Sequence, residues 1–394
     1  MAIHAGDSAN AAHAHLTPIY ATSTFTFDSA KQGMNRFDGS EPGYIYSRWG
    51  NPTFAAAEQT IAALEAFGVK EADGGDIKLK ALLHSSGQAA LTTMFLSNVK
   101  QGEKILSHYS LYGGTHELLF KVLPEAGIEC VIVDMVDLDA VEKAFAEQQF
   151  KLVHLETPAN PSMGCVDIEA ITAIAKKNNC IVCVDNTFAT PYLQQPFKYG
   201  VDYVVHSTTK FLNGHGSAIG GVLVGRDGEM MNTKVLKWHR LLGGNSNAFD
   251  AFLLLQGMKT LELRMDRHCA NAIKVAEFLQ AHDAVSQVNY AGLPSHANYQ
   301  VAIRQMKHAG ALLSFELKEG LSAGKRFIDR LQMCVRAVSL GTVDTLISHP
   351  ASMTHFGVKK EEREKYGITD GLIRMSVGIE SIDDILEDLD SALR

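Results

Sequence analysis

Apolar and polar residues follow one another in blocks that predict strands alternating with helices. Short apolar runs of strand length occupy residues 81–84, 104–107, 130–133, 152–155, 181–184 and 204–206. Apolar residues at helical spacing occupy residues 53–65, 137–148 and 168–178. Strands that alternate with helices are typical of a mostly parallel sheet with helices on both faces. The pattern therefore predicts an α/β fold, in which ligands bind at the carboxyl ends of the strands.

The pattern changes on either side of this block. Residues 1–50 are punctuated by glycine and proline, which predicts an irregular arm that packs on another surface. A long helix is predicted over residues 257–282. Strands at 312–317 and 336–340 and a closing helix at 382–393 follow it. We predict three parts: the arm at 1–50, an α/β domain at 51–250, and a smaller α+β domain at 251–394.

Composition restricts the class of protein. The chain has 394 residues, 46% of them hydrophobic and 20% charged, which is ordinary for a globular protein with a large core. The net charge of −8 gives no sign of nucleic-acid or anionic-membrane binding. The sequence has no apolar run long enough to span a membrane, and its first residues lack the pattern of a secretory signal. We therefore expect a cytoplasmic protein.

The cysteines and histidines do not predict a metal site. Six cysteines in a chain of this length are not a disulfide framework. Cys180 and Cys183 form a C-x-x-C pattern, but they lie in an apolar strand whose alternation directs them to opposite faces. The 16 histidines show no metal-ligand spacing. We expect buried thiols and no metal.

The segment at residues 204–216 carries the most informative chemistry. An apolar strand runs into Ser207, Thr208 and Thr209, then into Lys210 and a glycine-rich turn. A lysine at the end of a buried strand is costly unless it is paired or used. Hydroxyl groups can hold an anion, so a lysine bonded to a phosphorylated aldehyde cofactor fits this segment. A surface lysine after a strand fits equally well, and this segment alone leaves both interpretations open.

Other polar residues at strand ends can converge on Lys210. The Ser86-Gly87 turn into a helix offers a phosphate seat. Asp185 could hold a cofactor's ring nitrogen protonated or simply cap a turn, and Tyr112 could stack on a flat ring. Tyr46 and Arg48 could hold a phosphate together, although alone they are better explained as a core aromatic residue beside a surface arginine.

Together these motifs resemble the pyridoxal-phosphate enzymes of cysteine and methionine metabolism, the transsulfuration group of fold type I. The matching segments occur in family order over nearly the whole chain: 46–48, 86–87, 111–113, 156–161, 184–187, 207–215, 339–341, 349–355 and 372–378. The resemblance implies the fold type I architecture, pyridoxal 5'-phosphate as cofactor, and an active dimer that pairs into a homotetramer.

The resemblance also implies residue roles. Lys210 would bond to the cofactor and move the α-proton, Asp185 would pair with the pyridine nitrogen, and Tyr112 would stack on the ring. The implied phosphate ligands are Gly87, Gln88, Ser207 and Thr209, with Tyr46 and Arg48 reaching in from a neighbouring subunit. Arg374 would bind the substrate carboxylate, with Asn160 and Ser339 beside it.

Within the family, segments 339–341, 353–355 and 367–372 most resemble those of methionine γ-lyases. The resemblance then implies γ-elimination of L-methionine and related sulfur amino acids to 2-oxobutyrate, ammonia and a thiol. Val338 suits a methyl thioether, because cystathionine-handling relatives often carry a glutamate there. Against this, Gly114 stands where many methionine γ-lyases have cysteine, and residues 71–78 form an insertion.

Three alternatives therefore stay open. Cystathionine γ-lyase or γ-synthase activity, or replacement by an O-acetyl- or O-succinylhomoserine sulfhydrylase, would use the same site. A non-catalytic binding protein on this fold is the third, although it would be expected to have lost Lys210, Asp185 or Arg374.

Overall fold

Two β-sheets follow one another along the chain. A computed structural model describes residues 1–7, 10, 12–71, 73–364 and 367–394. Within them the strands are β1 Leu79–His84, β2 Lys104–His108, β3 Glu129–Val133, β4 Leu152–Glu156, β5 Ile181–Asp185, β6 Tyr203–His206, β7 Gly221–Arg226, β8 Val285–Asn289, β9 Leu312–Leu317, β10 Val335–Arg336, β11 Leu346–Ser348 and β12 Leu372–Ser376.

Helices cover and connect the sheets. They are α1 Ala30–Asp38, α2 Pro52–Ala66, α3 Gly87–Asn98, α4 Gly113–Glu117, α5 Leu138–Glu147, α6 Ile168–Lys177, α7 Thr190–Leu193, α8 Leu236–Leu242, α9 Ala248–Met258, α10 Leu261–Ala281, α11 Tyr299–Gln305, α12 Gly320–Arg330, α13 Lys360–Glu364 and α14 Ile382–Leu393. Asn51 caps α2 as its amide oxygen accepts a hydrogen bond from the Thr53 N–H. Among its described residues, the predicted irregular arm contains the helix α1, which Ser29 caps as its hydroxyl accepts a hydrogen bond from the Gln32 N–H.

The first sheet has the order β1-β7-β6-β5-β4-β2-β3. The strands from β6 to β3 in this order are parallel, and β7 runs antiparallel to both β6 and β1. The α/β architecture with a mostly parallel sheet is thus confirmed. The sequence pattern missed β7, which begins at Gly221 and carries the apolar run Val222-Leu223-Val224.

Both faces of this sheet are buried. Val182 and Val184 of β5 pack into one apolar cluster with α2, α6 and α9, whereas Cys183 packs into another cluster with α3. Cys180 lies in the first of these clusters. The two cysteines therefore lie on opposite faces, as the alternation predicts, and both are free thiols.

The predicted long helix over residues 257–282 is confirmed over Leu261–Ala281, and only its first turn is wrong. The chain forms two helices, α9 and α10, with a break at residues 259–260. The Gly257 carbonyl accepts hydrogen bonds from the Arg264 guanidinium at 2.8 Å and from the Thr260 hydroxyl at 3.3 Å. Gly257 also packs directly on the backbone of Asn213, where an added Cβ would lie 2.1 Å from the carbonyl oxygen. Through these contacts, the C-terminal end of α9 packs on Asn213, in the segment that follows Lys210.

The second sheet has the order β10-β11-β12-β9-β8 and is antiparallel except for the β10–β11 pair. The predicted strand at residues 336–340 is wrong, because β10 ends at Arg336. The carbonyl groups of Val338 and Ser339 bind the Arg374 side chain instead of a neighbouring strand. The sequence pattern also missed β8, β11 and β12.

The helix α10 links the two sheets. Its first half contributes Met265 and Cys269 to the core of the first sheet, and its second half contributes Val275 and Leu279 to the core of the second. The predicted domain boundaries near residues 50 and 250 stay predictions. Of the predicted insertion at 71–78, Ala72 lies outside the described residues. None of the described helices is long and apolar enough to cross a membrane.

Candidate active site

A cavity of about 380 Å³ opens at the carboxyl ends of β4, β5 and β6. Most of the residues that the sequence predicts for the site line it: Gly87, Gln88, Tyr112, Asn160, Asp185, Ser207, Thr209, Lys210, Val338, Ser339 and Arg374. The parallel strands bring their ends to one edge of the sheet, and the loop after β10 closes the cavity from the second sheet. The fold therefore assembles one site from segments far apart in the chain.

Lys210 lies just past the end of β6. Its amine is 3.1 Å from the Ser339 hydroxyl. Burial, and then the positive charge of Arg374, lowers the pKa of Lys210 to about 8. A lysine with this environment is partly neutral near neutral pH and can act as a nucleophile or base.

Asp185 is the last residue of β5, and Thr187 fixes its carboxylate. The Thr187 backbone N–H donates to Asp185 Oδ1 at 3.0 Å, and the Thr187 hydroxyl donates to the same atom at 2.5 Å. Burial, followed by the charge of Glu156, raises the pKa of Asp185. These contacts with Thr187 are those of a residue that caps a turn. Asp185 also lines the cavity, so it remains available to a ligand.

The beginning of α3, where the sequence predicts an anion seat, lies at the cavity. Ser86 caps α3 through a hydrogen bond from the Ala89 N–H, and Ser86, Gly87 and Gln88 line the cavity. An added Cβ on Gly87 would lie 3.0 Å from Ser207 Cβ, so the helix and the segment before Lys210 approach closely. The Thr209 hydroxyl is held by the backbone of Gly220.

On the opposite wall, Arg374 projects from β12. Its guanidinium donates to the carbonyl groups of Val338 at 3.1 Å and Ser339 at 2.8 Å, and burial lowers its pKa to about 10. Within the described part of the chain, Arg374 Nε and Asn160 Oδ1 are buried without a hydrogen-bond partner. Both atoms belong to residues that line the cavity, where they are available to bind a ligand.

Tyr46 and Arg48 lie outside this cavity. The Arg48 guanidinium stacks over the Tyr46 ring at 5.6 Å and donates a hydrogen bond to the Arg240 carbonyl at 2.5 Å. Tyr46 is 41% exposed. The chain does not bring these two residues to its own Lys210, so any role for them at a cofactor requires a second subunit.

Gly114 lies behind Tyr112 and does not belong to the lining of the cavity. An added Cβ at Gly114 would lie 2.8 Å from the Tyr112 ring and 3.2 Å from Gln88 Cδ. Tyr112 itself is 56% exposed at the cavity, where it precedes α4. Any effect of Gly114 on substrate choice would therefore be transmitted through Tyr112 or Gln88.

This packing gives a prediction for Gly114→Ala. The methyl group should displace the Tyr112 ring and lower kcat/KM by about tenfold, because overpacking costs about 1–3 kcal/mol and displaces a group at the reacting centre. Gly113→Ala is the matched control, since an added Cβ there meets nothing within 4 Å. Steady-state kinetics of both variants test the prediction, and equal losses in the two variants would contradict it.

Sequence reasoning gave no role to several lining residues: Leu91, Glu156, Pro158, Thr187, Phe188 and Ile219. Glu156 and Thr187 stand at strand ends, within motifs that match the family. Their place at the strand ends could have predicted that they line the site. Glu156 accepts a hydrogen bond from the Tyr112 N–H at 2.8 Å and so places the ring. Phe188 and Ile219 have no comparable signal in the sequence.

The cavity joins a half-buried lysine, a half-buried carboxylate, the beginning of a helix and a guanidinium, and these groups fit pyridoxal phosphate and an amino acid. Consistent with this, residues 1–394 match the family model described as Cys/Met metabolism PLP-dependent enzyme, so the chain belongs to that family. It is a pyridoxal-phosphate-dependent enzyme.

Individual relatives have more specific names. The chain is 46% identical over 393 residues to L-methionine gamma-lyase of Fusobacterium nucleatum subsp. polymorphum, covering 100% of this chain and 96% of the relative. It is 40% identical over 393 residues to cystathionine beta-lyase of Coxiella burnetii, covering 99% and 96%. It matches the structure of cystathionine gamma synthase from Xanthomonas oryzae pv. oryzae, in complex with cystathionine, with a TM-score of 0.91 and 37% identity, covering 100% and 96%.

Proposed function

We propose that this enzyme is a carbon–sulfur lyase that carries out γ-elimination on L-methionine and related sulfur amino acids. With water, methionine would yield methanethiol, 2-oxobutyrate and ammonia. One observation carries the proposal. The Lys210 amine lies 3.1 Å from the Ser339 hydroxyl, in a cavity that Asp185 and Arg374 also line. The full-length similarity to several L-methionine gamma-lyases supports the choice of substrate.

In the proposed roles, pyridoxal phosphate supplies an electron sink that stabilises negative charge at the substrate's α-carbon. Lys210 removes the α-proton, and its low pKa suits this task at neutral pH. Asp185 holds the ring nitrogen, and the N–H groups of Gly87 and Gln88 bind the phosphate with Ser207 and Thr209. Tyr112 packs over the ring.

The substrate's carboxylate would bind Arg374, whose planar fork suits bidentate recognition, with Asn160 and Ser339 beside it. Val338 is 58% exposed at the rim of the cavity and offers an apolar surface to the methyl thioether. A carboxylate at this position would instead favour a substrate with a distal amino group.

Assays with methionine, cystathionine, homocysteine and O-acetyl- or O-succinylhomoserine plus sulfide test the proposal. We expect methanethiol and 2-oxobutyrate from methionine. No methanethiol, together with homocysteine from an ester and sulfide, would favour the sulfhydrylase alternative. Cleavage of cystathionine alone would favour the activity named for the Coxiella relative or a cystathionine γ-lyase.

We further propose that the active unit is a dimer and that two dimers form a homotetramer. Tyr46 and Arg48 lie away from the cavity of their own chain and would complete the phosphate seat of a neighbour. We propose the cytoplasm as the location, because the six cysteines, all of them described, are free thiols.

A shared site predicts complementation between two defective variants. Arg48→Ala and Lys210→Ala should each lose most activity, whereas oligomers that contain both chains should regain up to about half of it, since one site in each mixed dimer is intact. Co-expression with two affinity tags, followed by sequential purification, isolates the mixed species. If they remain inactive while Arg48→Ala alone is folded and impaired, Arg48 acts within its own chain.

A further inference from the structure

Arg264, near the beginning of α10, is a buried cation outside the cavity. The residue is only 3% exposed, and it does not line the cavity. Burial lowers its pKa to about 10, and among the described residues no charged neighbour shifts that pKa further. The side chain is therefore positive at neutral pH. A buried charge of this kind is costly unless hydrogen bonds satisfy it.

The Arg264 guanidinium binds backbone carbonyl groups. Its Nη1 donates to the Phe211 carbonyl at 2.8 Å, and its Nη2 donates to the Leu212 carbonyl at 3.4 Å. The same Nη2 donates to the Gly257 carbonyl at 2.8 Å, at the end of α9. Phe211 and Leu212 are the two residues directly after Lys210. One side chain of α10 therefore holds the backbone that follows the lysine.

The backbone of Lys210 is fixed from two sides. On one side the chain turns back, and the Gly214 N–H donates to the Lys210 carbonyl at 2.8 Å. Gly214 has a φ of 71°, and an added Cβ would lie 2.0 Å from Arg264 Nη1, so the turn is built around the guanidinium. On the other side, an added Cβ on Gly341 would lie 3.1 Å from Lys210 Cβ. This second contact comes from the segment that carries Ser339.

The same region of α10 also contacts the end of β12. His268 lies one helical turn after Arg264, so the two side chains share a face of the helix. Its Nδ1 donates to the Val377 carbonyl at 2.6 Å, and its ring packs edge-on against the Phe211 ring at 5.3 Å. Val377 directly follows β12, the strand that carries Arg374. One helix face thus joins the turn after Lys210 to the strand of the guanidinium on the opposite wall.

We propose that Arg264 is a positioning residue that holds the turn after Lys210 in place, so that the Lys210 amine stays beside Ser339 and reaches the substrate's α-carbon. The inference rests on the proposed function, because it uses Lys210 as the proton-transfer group. Arginine suits this task, since its rigid fork of five N–H donors can bind several carbonyl groups at once.

Arg264→Gln tests the proposal, because the shorter amide cannot span the three carbonyl groups. We expect kcat for methionine to fall by about tenfold or more, since a misplacement of about 1 Å at a reacting group can cost about 10²-fold. KM should stay within about threefold, because the groups proposed to bind the substrate carboxylate are unchanged. The rate is calculated per bound cofactor, so that unfolded protein does not contribute to it.

A second measurement does not depend on activity. In the cofactor-free wild type, burial and then the charge of Arg374 lower the pKa of Lys210 to about 8. A relaxed turn in Arg264→Gln would expose the amine to water, so that pKa should rise by about one unit. The pH dependence of Lys210 labelling by an amine reagent, followed by peptide mass spectrometry, measures the midpoint.

Two control variants lie on the same helix. Arg267→Gln removes an exposed arginine, and Val275→Ala removes a buried side chain from the core of the second sheet, which lowers stability away from the Lys210 turn. Both should keep the wild-type rate per cofactor and the wild-type labelling midpoint. If Val275→Ala shows the losses expected of Arg264→Gln, those losses follow from stability and the proposal is overturned.

A wild-type rate or a wild-type labelling midpoint in Arg264→Gln also overturns the proposal. If that variant does not fold, Arg264→Lys takes its place and should show smaller changes in the same direction. A wild-type protein that releases no methanethiol from methionine would contradict the proposed function. The labelling of the cofactor-free protein would then still test whether Arg264 holds Lys210.

Discussion

Lys210→Ala should lower the rate of methionine cleavage by about 10³-fold or more, because general acid–base catalysis alone contributes about 10²–10⁴-fold. Lys210 is also the amine that would bond to the cofactor. Wild-type protein treated with borohydride should retain pyridoxal phosphate covalently, whereas the variant should release it on denaturation. Activity assays and mass spectrometry of the reduced proteins give the two measurements.

Lys274→Ala is the matched control for this prediction. Lys274 is an exposed residue of α10, so its loss removes one lysine without touching the cavity. The control should keep its activity and its covalent cofactor. If Lys210→Ala kept more than about a tenth of the wild-type rate, Lys210 would not be the proton-transfer group.

Arg374→Gln should lower kcat/KM for methionine by about 10²–10³-fold, mainly through KM. The Arg374 guanidinium is buried and would pair with the substrate carboxylate. Removing one partner of a buried ion pair costs about 3–5 kcal/mol of binding free energy. Arg374→Lys should recover only part of the loss, because an ammonium group cannot provide the planar fork. Since Arg374 also lowers the pKa of Lys210, Arg374→Gln should raise that pKa in the apoprotein.

Steady-state kinetics and the pH dependence of Lys210 labelling by an amine reagent give both measurements. Arg336→Gln is the control, because Arg336 is exposed on β10, close in sequence to the Val338 and Ser339 carbonyls, and does not line the cavity. Equal KM values for Arg374→Gln and the wild type would rule out Arg374 as the carboxylate ligand. An unchanged Lys210 profile would show that burial alone sets that pKa.

The sequence predicted the first sheet better than the second. Apolar runs such as 181–184 belong to central parallel strands that are buried on both faces, so their hydrophobicity is continuous. The strand β7 starts in glycine, and β10 and β11 are only two or three residues long. Strands as short as β10 and β11 carry little local signal, whereas β7 has an apolar run at 222–224 that the pattern could have supplied.

The helix boundary at residues 259–260 illustrates the same limit. The residues from 257 to 282 have helical spacing, and only Gly257 and the N-cap Thr260 are local signals of a boundary. The break follows from Arg264, which binds the carbonyl groups of Gly257 and Phe211 in one buried cluster. A side chain that captures a backbone carbonyl across the fold is invisible to a local pattern.

By itself, the sequence determined the α/β class and the identity of the main chemical groups, because strand periodicity and residue type are local properties. Lys210 and Asp185 stand at strand ends that any parallel sheet would bring to one edge. Only the tertiary structure decided that Gly114 lies behind Tyr112 and that Arg48 lies away from its own cavity. It also placed Arg264 against the carbonyl groups that follow Lys210, because the packing of distant segments sets which side chains become neighbours.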